Sequence, residues 1–154
     1  MTETRATYTT TIEPPPRSPR NRLLAVADTL DTLHEQTQEV SDRIEALEQA
    51  GIAYGRLFWD RGPRGAEKNV LKLAHDRTSP TRPDNKKGHE YIGKSPDPET
   101  VAEAEARLHR GKVYLEMRRR LATVEGQIAD IERKISGLEM VVSRQVRLPG
   151  FDGE

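Results

Sequence analysis

The sequence contains no cysteine, few aromatic residues and no long apolar run. The lack of cysteine excludes disulfides, Cys-ligated metal centres and a thiol nucleophile. Only 5% of the residues are aromatic, and hydrophobic residues (34%) barely outnumber charged ones (32%). A chain of 154 residues with this composition has little material for a thick core, so we expect an elongated molecule.

No run approaches the roughly 18 apolar residues of a membrane-spanning helix, and the N-terminus lacks the layout of a secretory signal, which favours a cytoplasmic protein.

Motifs that carry chemistry are also missing. The chain has no glycine-rich phosphate loop, no dinucleotide-binding glycine pattern and no Gly-x-Ser-x-Gly elbow. Its histidines are scattered without the spacing of paired metal ligands: His34, His75, His89 and His109. We therefore expect no metal site, no cofactor and no enzymatic activity.

The net charge of zero conceals an uneven distribution along the chain. Residues 1–55 carry 5 basic and 9 acidic residues, for a net charge of −4. Residues 56–94 carry 10 basic and 5 acidic residues, for a net charge of +5, and the remainder of the chain is at −1. A local basic surplus of this kind is what contact with phosphates requires.

The first third of the chain is predicted to form an arm followed by a long helix. Residues 1–17 combine threonine with a Pro-Pro-Pro run and show no hydrophobic period, which predicts a disordered arm. Ser18 and Pro19 have the chemistry of a helix start, and Gly51 that of a helix stop, so we predict a coiled-coil helix over residues 18–51. Its seam positions alternate by three and four: Leu23, Val26, Leu30, Leu33, Thr37, Val40, Ile44 and Leu47.

A second, longer helix is predicted over residues 96–146, with Asp97 as its cap and Pro98 in its first turn. Its seam has the same alternation: Tyr114, Met117, Leu121, Val124, Ile128, Ile131, Ile135, Leu138 and Val142. Before Tyr114 the apolar positions change frame, to Val101, Leu108 and Leu115, which indicates a different neighbour for these turns. Residues 147–154, after the helix, are predicted to be a flexible tail.

Residues 52–95 alternate with a period of two in three stretches, which predicts a three-stranded antiparallel sheet. The expected fold is therefore mostly α with a small β insertion: a long antiparallel coiled-coil hairpin with the sheet at its tip. One face of the sheet is predicted to cover the early turns of the second helix, and it carries Leu57, Trp59, Leu71, Leu73 and Ile92.

The opposite face of the predicted sheet is cationic with interleaved aromatics: Tyr54, Arg56, Phe58, Val70, Lys72, His89 and Tyr91. Basic and aromatic side chains on one surface are typical of nucleic-acid binding. The candidate binding residues are Arg56, Phe58, Lys72, Lys86, Lys87, His89 and Tyr91. An ordinary solvated edge sheet explains the same lysines and arginines as protection against aggregation, and this alternative stays open. Arginines of the second helix, Arg107 and Arg110 among them, either form a solvated face or contact the nucleic-acid backbone.

The stretch from Tyr54 to about Val101, which ends its sheet in Tyr91-Ile92-Gly93-Lys94 before a Pro-Asp-Pro-Glu helix start, resembles a known family. It is similar to the arm-type DNA-binding domains of phage-type tyrosine recombinases, whose last strand often reads Tyr-Leu-Gly-Lys. It also resembles uncharacterised bacterial and mobile-element coiled-coil proteins. The resemblance implies that the exposed face of the sheet contacts DNA. No recombinase catalytic domain follows, so the role in integration is not implied.

The seams leave the pairing of the helices open. They pair either with each other, as a hairpin, or between chains; we favour a hairpin that also forms a homodimer. The dimer surface is suggested by Val141, Val142 and Val146, apolar positions beyond what one partner helix would cover. The competing function is a structural or adaptor protein that binds a partner through its helices.

The C-terminal tail resembles the Gln-x-x-Leu-Pro peptides with which bacterial replication proteins bind the sliding clamp. The matching residues are Gln145, Leu148, Pro149 and Phe151, with Gly150 where that pattern usually has an apolar residue. The resemblance implies a sliding clamp as a further partner.

Overall fold

A computed structural model describes residues 18–62 and 67–146, with side chains as far as Arg144. The elements follow one another as α1 (Pro19–Gln49), β1 (Gly55–Arg61), β2 (Lys68–His75), β3 (His89–Lys94) and α2 (Pro98–Val146). The three strands form one antiparallel sheet between two long helices, which confirms the predicted mostly α fold with a small β insertion. The predicted arm (1–17) and tail (147–154) lie outside the described residues.

The predicted helix boundaries are confirmed to within two residues. The Ser18 hydroxyl accepts the N–H of Asn21 at 3.1 Å at the start of α1, and Gly51 follows the helix with φ of +83°. At the start of α2, the Asp97 carboxylate accepts the N–H of Thr100 at 2.7 Å. These caps satisfy backbone groups that have no partner inside the helix, which is why short sequence signals locate the ends well.

The two helices pack against each other in antiparallel orientation. Leu121 of α2 lies in a buried cluster with Val40 and Ile44 of α1, and the Tyr114 hydroxyl donates to the Glu48 carboxylate at 2.7 Å. Burial therefore follows the predicted seams near the sheet. Neither helix has the long uncharged apolar stretch that spanning a membrane requires.

The strand order is β1-β2-β3, with Leu57 opposite Leu73 and Lys72 opposite Tyr91. The first strand begins at Gly55 and not at Ala53 as predicted. The reason is that the Ala53 N–H donates to the carbonyl of Arg107 in α2 at 3.1 Å, so the chain reaches the helix before it enters the sheet. Gly55 then has φ of +144° with the Ala74 backbone where a Cβ would stand, a position only glycine can occupy.

The inner face of the sheet packs on the early turns of α2. Leu71 and Leu73 are almost fully buried, as predicted. Just before β1, the Ala53 carbonyl also approaches α2 closely and occupies the space that a side chain at Gly111 would need.

The covering of α2 by the sheet is narrower than the sequence predicted. Val101 and Leu108 are half-buried, but Leu115 is 42% exposed and Trp59 is 46% exposed. The prediction that these two side chains are covered is wrong. The contact is centred instead on the N-terminal turns, where Ala104 is buried, and Leu115 lies beyond it.

Candidate nucleic-acid interface

The strand register defines the outer face of the sheet, which is opposite the face that carries the buried Leu71 and Leu73. Three cross-strand rows compose it: Arg56–Ala74–His89, Phe58–Lys72–Tyr91 and Asp60–Val70–Lys94. Directly paired residues of an antiparallel sheet share a face, so the register brings together Arg56, Phe58, Lys72, His89 and Tyr91. The alternation of the sequence predicted this grouping.

Tyr54 does not belong to the outer face, and its predicted place there is wrong. Its ring lies 6.4 Å from the ring of Tyr114 on α2, and its N–H donates to the Ser79 hydroxyl at 3.0 Å. The period of two fails at this point because Tyr54 precedes the strand and Gly55 turns the chain.

Lys86 and Lys87 lie on a tight turn that leads into β3. The Asn85 side chain fixes this turn: its amide donates to the His89 carbonyl at 2.9 Å, and its oxygen accepts the His89 N–H at 3.2 Å. Gly88 has φ of +63°, and the Arg82 guanidinium lies where a Cβ would stand. The turn therefore holds the two exposed lysines next to the outer face.

A groove of about 340 Å³ runs along the β3 side of this face. Five of the seven predicted binding residues line it, together with two residues that the sequence analysis did not select. The lining residues are Asp60, Lys72, Asn85, Lys86, Lys87, His89 and Tyr91. Arg56 and Phe58 lie on the same face but outside the groove.

The aromatic side chains of the outer face differ in exposure. Tyr91 is 63% exposed, whereas Phe58 and His89 are half-buried. The Phe58 and His89 rings meet edge to face, with centroids 5.0 Å apart and an interplanar angle of 65°. This contact links β1 to β3 across the middle strand.

Asp60 places a carboxylate on the cationic face. Its Oδ2 lies 2.6 Å from Lys72 Nζ, and the hydrogen bond from Lys72, with that from the Arg61 N–H, lowers the pKa of Asp60 below its ordinary value. Asp60 therefore stays ionised and neutralises one of the predicted binding cations. The alternation from Phe58 to Asp60 was the signal in the sequence that would have found it, and the same register adds Lys94.

Behind the sheet, a chain of polar contacts joins β2, β3 and α2. Arg107 donates to Glu90 at 2.8 Å, Glu90 Oε2 lies 2.7 Å from His75 Nε2, and His75 Nδ1 lies 2.8 Å from the Ser79 hydroxyl. His75 and Ser79 are each 6% exposed. These groups hold the sheet on the helix.

Two arginines of α2 that lie near the sheet, Arg107 and Arg110, bind other groups of the protein. Arg107 binds Glu90, and the Arg110 guanidinium donates to the Gly51 carbonyl at 2.7 Å. Both guanidinium groups are held by contacts within the protein, and their contact with a nucleic-acid backbone stays one of the two alternatives given above. In the parts of the chain that the structure describes, no three metal-ligating side chains cluster.

Comparison with known proteins gives no independent assignment. No protein-family model matches the chain, and no curated protein or solved structure matches it. The resemblance to recombinase arm-binding domains stays a prediction. The resemblance to clamp-binding peptides also stays a prediction. Leu148, Pro149, Phe151 and the side chain of Gln145 lie outside the described residues.

Proposed function

We propose that this protein is a non-enzymatic nucleic-acid-binding accessory protein whose outer sheet face binds DNA. The observation that carries the proposal is the groove that collects Lys72, Lys86, Lys87, His89 and Tyr91 from two strands and a fixed turn. Cations and aromatic rings on one surface serve both parts of a nucleotide, its phosphate and its base.

The roles follow from exposure. Lys86, Lys87 and Arg56 are exposed and have no ion-pair partner among the described residues, so they are the groups that neutralise phosphates. Lys72 forms an ion pair with Asp60 and therefore contributes less to phosphate binding. Tyr91, with Phe58 and His89 beside it, contacts bases or sugars.

A solvated edge sheet accounts for exposed lysines but not for the whole arrangement. It gives no reason for a tyrosine that is 63% exposed beside the lysines of the groove, nor for a turn held by two hydrogen bonds between the Asn85 side chain and the His89 backbone. These features favour a binding surface.

The test is a pair of charge reversals of equal size. Lys86→Glu/Lys87→Glu changes the groove, and Arg119→Glu/Arg120→Glu changes exposed positions on α2. We expect the groove variant to bind a labelled 20-nucleotide DNA at least tenfold more weakly than the wild type in fluorescence anisotropy, and the α2 variant to lose less than threefold. Equal losses in the two variants would show that the proposed face is not the binding site.

A second candidate function is the structural or adaptor role, in which the helices bind a partner. The observation that favours it is a group of exposed apolar side chains at the open end of the hairpin, away from the sheet. They are Leu23, Leu24, Val26, Leu138, Met140, Val141 and Val142. A patch of this kind marks an interaction surface, which in the adaptor role binds a helix of another protein. In the DNA-binding role we propose that a second copy of the chain covers it, so that the homodimer presents two sheets.

The remaining parts of the proposal come from the resemblances. On these grounds we propose a bacterial protein of a mobile element, with the sliding clamp as a further partner of the tail, and on the composition of the sequence we propose a cytoplasmic location. A synthetic peptide of residues 143–154 tests the clamp contact directly: saturable binding to purified clamp supports it, and no binding at 100-fold molar excess removes it.

A further inference from the structure

We propose that the outer face of the sheet binds single-stranded DNA in preference to duplex DNA, by stacking unpaired bases on Tyr91 and on the neighbouring His89 ring. The inference rests on the proposed function and specifies its ligand. It depends on the exposure of Tyr91, on the spacing of the rings along β3 and on the charges of the face.

The aromatic side chain of Tyr91 is accessible to solvent. It is 63% exposed, on the edge strand β3, directly opposite Lys72 of the middle strand. In a duplex the faces of the bases are covered by their neighbours, and only their edges are accessible in the grooves. An exposed aromatic ring can therefore stack on an unpaired base, which is not already stacked in a helix.

The ring positions along β3 also suit an extended strand. His89 and Tyr91 are two residues apart on the same face, which places their Cα atoms about 6.6 Å apart at 3.3 Å per residue. Stacked bases in a duplex follow one another every 3.4 Å or so along each strand. Two successive bases reach these two rings only if the strand is unstacked and drawn out to about twice that spacing.

The charges on the outer face favour contact with the one phosphate backbone of a single strand rather than with the two of a duplex. Asp60 neutralises Lys72 in the middle of the face, so the cations of the groove that have no ion-pair partner among the described residues are those on the turn at its side. Lys86 and Lys87 stand together on one turn beside the groove, next to His89 and Tyr91. A single strand can place its bases on the rings and its phosphates on this turn.

The test compares one labelled 20-nucleotide sequence as a single strand and as a duplex, by anisotropy with the full-length protein. The wild type is expected to bind the single strand at least tenfold more tightly. Tyr91→Ala is expected to weaken single-strand binding roughly tenfold, and Tyr91→Phe, which keeps the ring, to stay within threefold of the wild type. Because Tyr91 is exposed, both variants should keep the far-UV circular dichroism spectrum of the wild type.

The outcomes separate this inference from the proposed function. Single-strand preference together with dependence on the ring supports it. Equal or tighter binding of the duplex overturns the inference and leaves the nucleic-acid role in place, as does a Tyr91→Phe variant that loses as much affinity as Tyr91→Ala. Binding of neither probe at tens of micromolar protein overturns both.

Discussion

The carboxylate of Asp60 accepts a hydrogen bond from Lys72 at 2.6 Å, across the β1–β2 pair on the outer face of the sheet. The pair lies in the same groove as Lys86, Lys87 and Tyr91. Asp60 therefore reduces the positive potential at the place where the proposed ligand binds. It is the one acidic side chain of the three cross-strand rows.

Removing this carboxylate should strengthen nucleic-acid binding. In Asp60→Asn the face gains one unit of positive charge, and Lys72 is freed to bind a phosphate. We expect about three- to tenfold tighter binding of a single-stranded DNA and a salt dependence steeper by about 0.7 in log Kd per log salt. Anisotropy titrations over a series of salt concentrations measure both. Asp28→Asn, the same charge change on α1, is the control, and an equal gain in the two variants would contradict the local role of Asp60.

The contact between the Ala53–Tyr54 segment and α2 predicts opposite effects of alanine at two helical glycines. A methyl group at Gly111 would collide with the Ala53 carbonyl and the Tyr54 ring, whereas nothing lies within 4 Å of the corresponding position at Gly126. We expect Gly111→Ala to lower the free energy of unfolding by about 1–3 kcal/mol through overpacking. Gly126→Ala should raise it by about 0.5–1 kcal/mol, because alanine is the better helix former.

Urea denaturation followed by circular dichroism measures both changes. If the two alanine variants were equally stabilised, the close approach of Ala53 to α2 would be wrong.

The polar contacts behind the sheet predict loss of stability in acid. Burial by itself raises the pKa of Glu90, but the hydrogen bonds from Arg107 and His75 outweigh it, so the pKa in the folded protein is below the ordinary value of 4.5. The stabilisation is therefore complete above about pH 4.5 and is lost as the pH falls through the lowered pKa of the folded state.

Glu90→Gln should remove this dependence on pH. We expect it to cost about 1–3 kcal/mol at neutral pH, since Arg107 loses a charged partner, and to flatten the fall in stability below pH 4.5. Melting temperatures from pH 3 to pH 7 test this, with Glu105→Gln as an exposed control on α2. A curve for Glu90→Gln that parallels the wild type would contradict the assignment.

The open end of the hairpin predicts a dimer. The chain has a mass of 17.4 kDa, so analytical ultracentrifugation at tens of micromolar should give twice that value. Leu138→Asp, in the exposed apolar group, should shift the protein to the monomer. Leu115→Asp changes an exposed leucine nearer the sheet and should leave the mass unchanged. A monomeric wild type would contradict the proposed homodimer.

The predictions from sequence succeeded where the signal is local. The caps at Ser18 and Asp97 and the alternation that groups Phe58, Lys72 and Tyr91 each depend on neighbours in the chain, so they are readable without tertiary structure. Tyr54 was misplaced because it precedes β1 and lies against α2 at Gly111, a contact that no periodicity encodes. Leu115 was misplaced because its exposure depends on how far the sheet extends along α2.

The candidate site, too, could be predicted from the sequence only in part. The outer face could be predicted from the period of two, but its groove could not, because the groove depends on the turn that Asn85 holds. The neutralisation of Lys72 was also missed, since it requires the register that sets Asp60 diagonally across from it.

The measurement that tests the central claim most directly is the salt dependence of DNA binding by the unmodified protein. A labelled 20-nucleotide single strand is titrated at about 50 and 200 mM salt, conditions between which three phosphate contacts change the affinity roughly 20-fold. Micromolar binding at the lower salt with a loss of this size is the predicted result. Absence of binding at tens of micromolar protein, or binding that salt does not weaken, would contradict a nucleic-acid interface on the outer face.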